Sequence, residues 1–221
     1  ELEAPVGYVL NATKYNFVVD DNGTVTFTEN ANKIIYNDRV TTQEGFIVTK
    51  YQTGSEIPLA GAKIGLFDIN GNKLQEKTTG ENGQVNFGKL EVGNYYYQEL
   101  EAPVGYVLNH TQYQFTVENN GTITYKEGTT KIIYNDKVTT ENEFVVTKYR
   151  AGTETPLAGA VIGLFDENGN KLDEQTTGEN GQVNFGKLEV GTYSYQELTP
   201  PVAYVLNSTQ YHFTVENDGS V

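Results

Sequence analysis

Hydrophobic and polar residues alternate along most of this chain with a period of two, the pattern of β-strands that bury one face. In Phe46-Ile47-Val48-Thr49-Lys50 the residues Phe46, Val48 and Lys50 share a face, and its apolar content makes it the core face. Phe144, Val146 and Lys148 repeat the arrangement. Both lysines are therefore aimed inward. An amine in an apolar interior must find an opposite charge, lose its proton or react, because an isolated buried charge is too costly to keep.

Turn residues punctuate the alternation at short intervals. Thr53 to Pro58 reads as a loop, Leu59 to Phe67 as a strand, and Asp68-Ile69-Asn70-Gly71-Asn72 as a tight hairpin turn before a return strand from Lys73 to Thr79. A second Asn-Gly pair, Asn82-Gly83, leads into Gln84 to Phe87, and Val92-Gly93 leads into Asn94 to Glu99. Ala102 to Tyr106 is a turn or crossover, and Tyr113 to Val117, Ile123 to Tyr125 and Lys131 to Asn135 complete the set. Many short strands with no plausible helix predict an all-β chain folded as β-sandwiches.

Self-similarity sets the frame. Glu1 to Leu10 returns unchanged as Glu99 to Leu108, a period of 99 − 1 = 98 residues, which carries Lys50 to Lys148 and Asn37 to Asn135. A period this long is a whole domain rather than a solenoid unit. The predicted divisions are residues 1–41, the C-terminal part of one repeat; 42–139, a complete repeat; and 140–221, a repeat without the counterpart of Thr124 to Asp136. Short connectors poor in Gly and Pro predict a semi-rigid string of domains. The chain begins without Met and breaks off within a repeat, so it reads as a window on a longer array.

Composition narrows the partners. A net charge of −14 and a pI near 4.5, with no basic face, argue against nucleic acid. Sixteen Tyr and ten Phe, with neither Trp nor Met, suit strands. No cysteine is present, so disulfides and thiolate metal sites are excluded and stability must come from elsewhere. No apolar run reaches the ~20 residues of a membrane-spanning helix.

Three residue types converge on the inward lysine. Tyr95, Tyr97 and Glu99 lie on one face, and in the next copy Tyr193, Tyr195 and Glu197 alternate with Ser194 and Gln196, which marks the glutamate side as inward. Ile133 and Asn135 share a face, as do Ile35 and Asn37, with Ile132 and Tyr134 competing for the inner side of that strand. Two readings stand. One is a buried Lys50–Glu99 ion pair with Asn135 hydrogen-bonded beside it, an arrangement that desolvation makes a weak stabiliser. The other is chemical: a neutral Lys50 amine attacks the Asn135 carboxamide while a protonated Glu99 shuttles protons and ammonia leaves.

Val48-Thr49-Lys50, Pro58-Leu59-Ala60-Gly61-Ala62, Asn82-Gly83, Gly93-Asn94-Tyr95-Tyr96 and above all Glu99-Leu100-Glu101-Ala102-Pro103-Val104-Gly105-Tyr106 resemble the CnaB-type domains of Gram-positive pilins and adhesin stalks. The resemblance covers nearly the whole chain. It implies a tandem immunoglobulin-like (prealbumin-like) sandwich and a self-formed amide, with Lys50 as nucleophile, Asn135 as acceptor and Glu99 as proton shuttle. In the third repeat Lys148 and Glu197 match without an acceptor strand; in the first, Glu1 and Asn37 match without a lysine strand. It further implies an extracellular stalk segment, anchored to the cell wall through a parent chain, whose partners are neighbouring repeats or other copies in a fibre. The alternative is an adhesive module for a host protein or glycan. Pairing of Asn37 with Lys148 between chains is a third arrangement that the repeat frame allows. Two departures stand out: no Leu-Pro-x-Thr-Gly signal is visible, and Ala203 replaces the glycine of the Ala-Pro-x-Gly-Tyr turn, which predicts that this turn needs no positive φ.

Other signals lead elsewhere. Asp68 to Asn72 and Asp166 to Asn170 start like calcium loops, but Gly71 stands at the fourth position and Thr79 at the twelfth, so they read as hairpin turns and no metal or cofactor is expected. The sequons at Asn11, Asn22, Asn109, Asn120 and Asn207 read as turns. His110 and His212 are read as exposed, without ligand partners. No catalytic triad or phosphate loop occurs, so turnover chemistry is not expected beyond one self-crosslinking event.

Overall fold

The computed structural model describes residues 1–27 and 34–221, and its elements are all strands. The chain divides into two compact units. One comprises Glu1–Tyr51, Ser55–Ala102 and Leu108–Tyr134; the other comprises Gln52–Gly54, Pro103–Val107 and Asn135–Val221.

The first segment contributes a small antiparallel hairpin, β1 (Phe17–Val19) and β2 (Val25–Phe27), with Phe17 opposite Phe27. The complete repeat supplies β3 (Ile47–Gln52), β4 (Lys63–Asp68), β5 (Lys73–Thr78), β6 (Gln84–Asn86), β7 (Gly93–Glu101), β8 (Tyr113–Val117), β9 (Ile123–Tyr125) and β10 (Ile132–Asn135). These form a five-stranded sheet in the order β5-β4-β7-β8-β9 and a three-stranded sheet in the order β10-β3-β6. Residues alternate in and out along each strand, and the inward sets of the two sheets make one core: Phe46 and Val48 from β3 and its approach meet Ile64, Leu66, Tyr97, Phe115, Val117 and Ile133. Phe46 stacks on Phe115 at a centroid distance of 4.3 Å, and Tyr97 stacks on Tyr113 at 5.0 Å.

The two edges of β3 differ in kind. Against β6 it runs antiparallel, with Val48 opposite Val85. Against the last strand, Thr49 N donates to Lys131 O (2.8 Å) and Thr53 N donates to Asn135 O (2.9 Å), a constant offset of 131 − 49 = 135 − 53 = 82. The first and last strands of the repeat are therefore parallel neighbours.

The third repeat supplies β11 (Val145–Thr147), β12 (Val161–Asp166), β13 (Lys171–Thr176), β14 (Gln182–Asn184), β15 (Gly191–Thr199) and β16 (Gln210–Val215). Its sheets are β13-β12-β15-β16 and the pair β11-β14. Among the described residues β14 is the only ladder partner of β11, and β11 has three residues where β3 has six.

Two sequence expectations need correction. The strand expected from Leu59 begins only at Lys63: Leu59 N donates to Lys50 O (3.0 Å), Gly61 turns the chain at φ +85°, and Thr79 Oγ1 bridges the bend, accepting from Ala62 N and donating to Leu59 O. Ala203 does adopt positive φ, 70°, as Gly7 (82°) and Gly105 (81°) do at the equivalent turns. The third copy therefore retains the left-handed turn and bears the steric strain of a Cβ there.

Candidate functional site

Lys50 sits on β3 with its side chain fully buried, and its Nζ lies 3.1 Å from Oε1 of Glu99, also fully buried, on β7. The pairing follows from alternation. Val48 and Lys50 point inward from one sheet, Tyr97 and Glu99 from the other, and the core closes around them. Burial pushes the Lys50 amine down to about 8, against the opposing pull of the Glu99 carboxylate. The amine of this pair is therefore much easier to deprotonate than a solvent lysine.

The second carboxylate oxygen of Glu99 is held in place. It accepts a hydrogen bond from Asn109 N (2.8 Å), while the Asn109 side-chain amide donates to Tyr134 O (3.1 Å) and to Tyr113 Oη (3.1 Å). One asparagine thus ties the glutamate to the strand that carries the candidate acceptor. Asn135 ends that strand, is 2% exposed and donates from Nδ2 to Val107 O at 2.7 Å, which fixes the plane of its carboxamide. Ile133 is buried and Tyr134 exposed, so the face shared by Ile133 and Asn135 is the inner one.

The incomplete copies show parts of the same constellation. In the third repeat Lys148 Nζ lies 2.9 Å from Glu197 Oε1, and Glu197 Oε2 accepts from Asn207 N (2.7 Å), but the lysine side chain is 19% exposed. It borders a cavity of about 310 Å³ lined by Val146, Lys148, Ile162, Tyr195, Glu197 and Asn207 among others. In the first segment Asn37 Nδ2 donates to Glu1 Oε2 (2.6 Å) and to Val9 O (2.8 Å), and Glu1 also accepts from Asn11 N (2.8 Å). These groups lie at the surface: Glu1 is exposed and Asn37 half-buried.

Comparison with known proteins gives this architecture a place. The family model described as the SpaA prealbumin-like fold domain matches residues 44–131 and 142–221. The chain belongs to this family. Serine-aspartate repeat-containing protein F of Staphylococcus epidermidis is 31% identical over 225 residues, a match that takes in 87% of this chain and 13% of that protein. The Bacillus anthracis TIE protein superposes with a TM-score of 0.74 at 28% identity, over 99% of this chain and 39% of that one. The pilus adhesin SpaC of Lactobacillus rhamnosus GG shares the fold, with a TM-score of 0.54 at 19% identity over 97% of this chain and 29% of its own. The chain thus spans a small fraction of each of these proteins.

Within this SpaA-type frame, Lys50 and Glu99 are brought together, and Lys148 with Glu197 likewise. Asn109, read from sequence only as a turn residue, is the member that was missed. Its signal was available in the repeat, because Asn11 and Asn207 stand at the same offset and make the same backbone contact to Glu1 and Glu197. The Asp68 and Asp166 loops are hairpin turns in which each aspartate caps two backbone N–H groups. His110 and His212 are exposed. Among the described residues no cluster of three metal-ligating side chains occurs, and no helix is long and apolar enough to cross a membrane.

Proposed function

We propose that this chain is a load-bearing segment of a bacterial surface stalk or fibre, and that its complete repeat is locked by an amide between Lys50 and Asn135. The observation that carries the reading is the fully buried Lys50–Glu99 pair, whose lysine lies on a strand with a parallel neighbour that ends in the buried carboxamide of Asn135. An ion pair alone explains this poorly, since removing both charges from water costs as much as their attraction returns.

The reaction balances within the site. A proton passes from the Lys50 ammonium to Glu99, giving a neutral amine and a neutral acid. The amine attacks Cγ of Asn135 while the Glu99 proton is shared with the carboxamide oxygen, which stabilises the tetrahedral adduct. Glu99 then carries a proton from the former lysine nitrogen to Nδ2, the C–Nδ2 bond breaks, ammonia leaves, and an Nζ–Cγ amide remains. Each domain reacts once, so the chemistry is self-modification rather than turnover.

Localisation outside the cell, attachment through a longer parent chain and contact with neighbouring repeats follow from the same reading. So does the absence of cysteine, because the amide takes over the role of a disulfide. The near-identity of the loops between copies favours a spacer over a recognition module. Intact mass under denaturing conditions tests the chemistry: the chain is expected to be lighter than its composition by one ammonia, and Lys50→Ala, Glu99→Ala and Asn135→Ala should each restore the full mass. A full-mass wild-type chain would refute the proposal.

A further inference from the structure

The connectors between repeats are paired on both sides. Val138 N donates to Gly105 O (2.8 Å) in the Ala-Pro-x-Gly-Tyr turn of the complete repeat, while Val138 O accepts from Val190 N (3.2 Å) in the third repeat. The flanking residues extend the pattern, Lys137 bridging antiparallel to Tyr106 and Thr139 to Glu189. At the repeat offset the set recurs: Val40 N donates to Gly7 O (2.9 Å), Val40 O accepts from Val92 N (3.2 Å), Arg39 bridges to Tyr8 and Thr41 to Glu91. Every residue of one set lies in the first compact unit and every residue of the other in the second, so they are two instances of one arrangement. A connector that only spanned a gap would leave these N–H and C=O groups to water.

We infer that residues 39–41 and 137–139 are docking strands, and that each, with the glycine turn before it, forms an interaction surface whose partner is the Glu-Val-Gly turn of the next repeat in the same chain. Side chains give the surface its selectivity. The Arg39 guanidinium stands 5.6 Å over the Tyr8 ring of the preceding repeat and 3.2 Å from Glu91 Oε2 of the following one. Lys137, paired with Tyr106, holds Glu189 Oε2 at 2.5 Å in the same way. Both ion pairs are about half exposed, so the backbone bonds carry the docking and the charges select which turn is accepted. A second turn of the following repeat closes on the connector. A Cβ on Gly121 (φ +80°) would stand 2.4 Å from Thr41 O, and one on Gly219 (φ +83°) 2.5 Å from Thr139 O, so only glycine allows that approach. The junction therefore resists bending, and a pull passes between repeats through a hydrogen-bonded segment rather than a slack linker.

The docking stands whether or not Lys50 and Asn135 are joined, because no junction residue belongs to that site. Amide exchange and backbone relaxation of the full chain by NMR test it. In the wild type the Val138 and Val190 amides should exchange at least about tenfold more slowly than in an unstructured chain, and the amides of the two repeats should share one tumbling time. Val138→Pro removes the donor to Gly105 O; it should speed Val190 exchange by about tenfold and separate the tumbling times, while the core-strand amides of Leu66 and Leu164 keep their protection. Glu189→Lys, at an exposed residue, sets two cations against each other and should speed Val190 exchange by about threefold. The charge swap Lys137→Glu with Glu189→Lys should bring the slow rate back. Unprotected Val138 and Val190 amides in the wild type, or separate tumbling there, overturn the docking. So does a Val138→Pro chain in which Val190 protection and shared tumbling are unchanged. If that variant unfolds a repeat, Glu189→Lys decides: a Val190 rate that neither rises with it nor returns with the charge swap overturns the proposed surface.

Discussion

Asn135→Ala isolates the amide from everything around it. The Lys50–Glu99 ion pair is kept in this variant, so no buried charge is left uncompensated, and the direct loss is the packing of the buried side chain, since the Nδ2 hydrogen bond to Val107 O has already left the cross-linked wild type with the ammonia. The larger loss is the cross-link. Lys50 and Asn135 are 135 − 50 = 85 residues apart, and closing a loop of that size in the unfolded chain stabilises the folded state by about 4–5 kcal/mol in the chain-entropy description. For a domain of roughly this size each kcal/mol moves the melting temperature by about 4–8 °C, so the complete repeat should melt about 20–30 °C lower in the variant. Calorimetry of the whole chain should show two transitions, the lower from the third repeat, with its exposed cavity, and the higher from the complete repeat. Only the higher one should move. A shift under about 5 °C, with wild type and variant both at full mass, would mean that the buried pair is an ordinary ion pair and that no amide forms.

Three further outcomes follow from the same geometry. In Asn135→Ala the Lys50 amine titrates near 8 when folded and near its ordinary ~10.4 when unfolded; the unfolded chain then holds more protons between these values, so urea midpoints of the variant should rise from pH ~8 to ~10 relative to the cross-linked wild type, which has no amine there and lacks this rise. Tyr97→Phe should be neutral or slightly stabilising by thermal melts, because the buried Tyr97 hydroxyl has no hydrogen-bond partner among the described residues. Asn109→Ala keeps the backbone bond to Glu99 but loses the side-chain bonds to Tyr134 O and Tyr113 Oη, so loss of ammonia during refolding should slow at least several-fold, with about 1–2 kcal/mol lost in stability; unchanged kinetics by mass spectrometry would remove Asn109 from the site.

What could be read from sequence was whatever a two-residue period controls. Alternation alone put Lys50 and Glu99 in the core, because one step of register would have exposed Phe46, Val48 and Tyr97 together with them. The acceptor strand was ambiguous for the same reason: Ile132, Ile133 and Tyr134 are all apolar, and only packing distinguishes the buried Ile133 from the exposed Tyr134. The late start of β4 was hidden because Ala62 is buried in phase with Ile64 and Leu66, as a continuing strand would bury it, while the backbone before it turns at Gly61 to bond with Lys50 and Thr79. Ala203 misled because a residue's identity reveals its preference and not its conformation; the chain around it, held by Tyr204 N to Pro201 O, imposes the left-handed turn. Asn109 was read only as a turn residue because its key donor is a backbone N–H, which carries no side-chain signature; its recurrence as Asn11 and Asn207 was the one trace of it in the sequence.

The strand order also decides what force does to this domain. Because β3 and β10 are parallel neighbours, pulling on the two ends of the repeat shears the ladder between them, and without a cross-link only that ladder, the β3–β6 pairing and core packing resist. An amide at Lys50 and Asn135 shortens the load path to the bond itself, so the chain between them bears no tension. Fully extended, those 85 steps span about 280–300 Å, against roughly 5 Å between adjacent strands when folded. Single-molecule stretching of the full chain should therefore lack an extension of that length in wild type and show it in Asn135→Ala. If wild type releases it too, tension reaches the interior of the repeat and the stalk function fails together with the amide. If neither releases it, hydrogen bonds alone hold the shear geometry, and the buried lysine must be explained by something other than load.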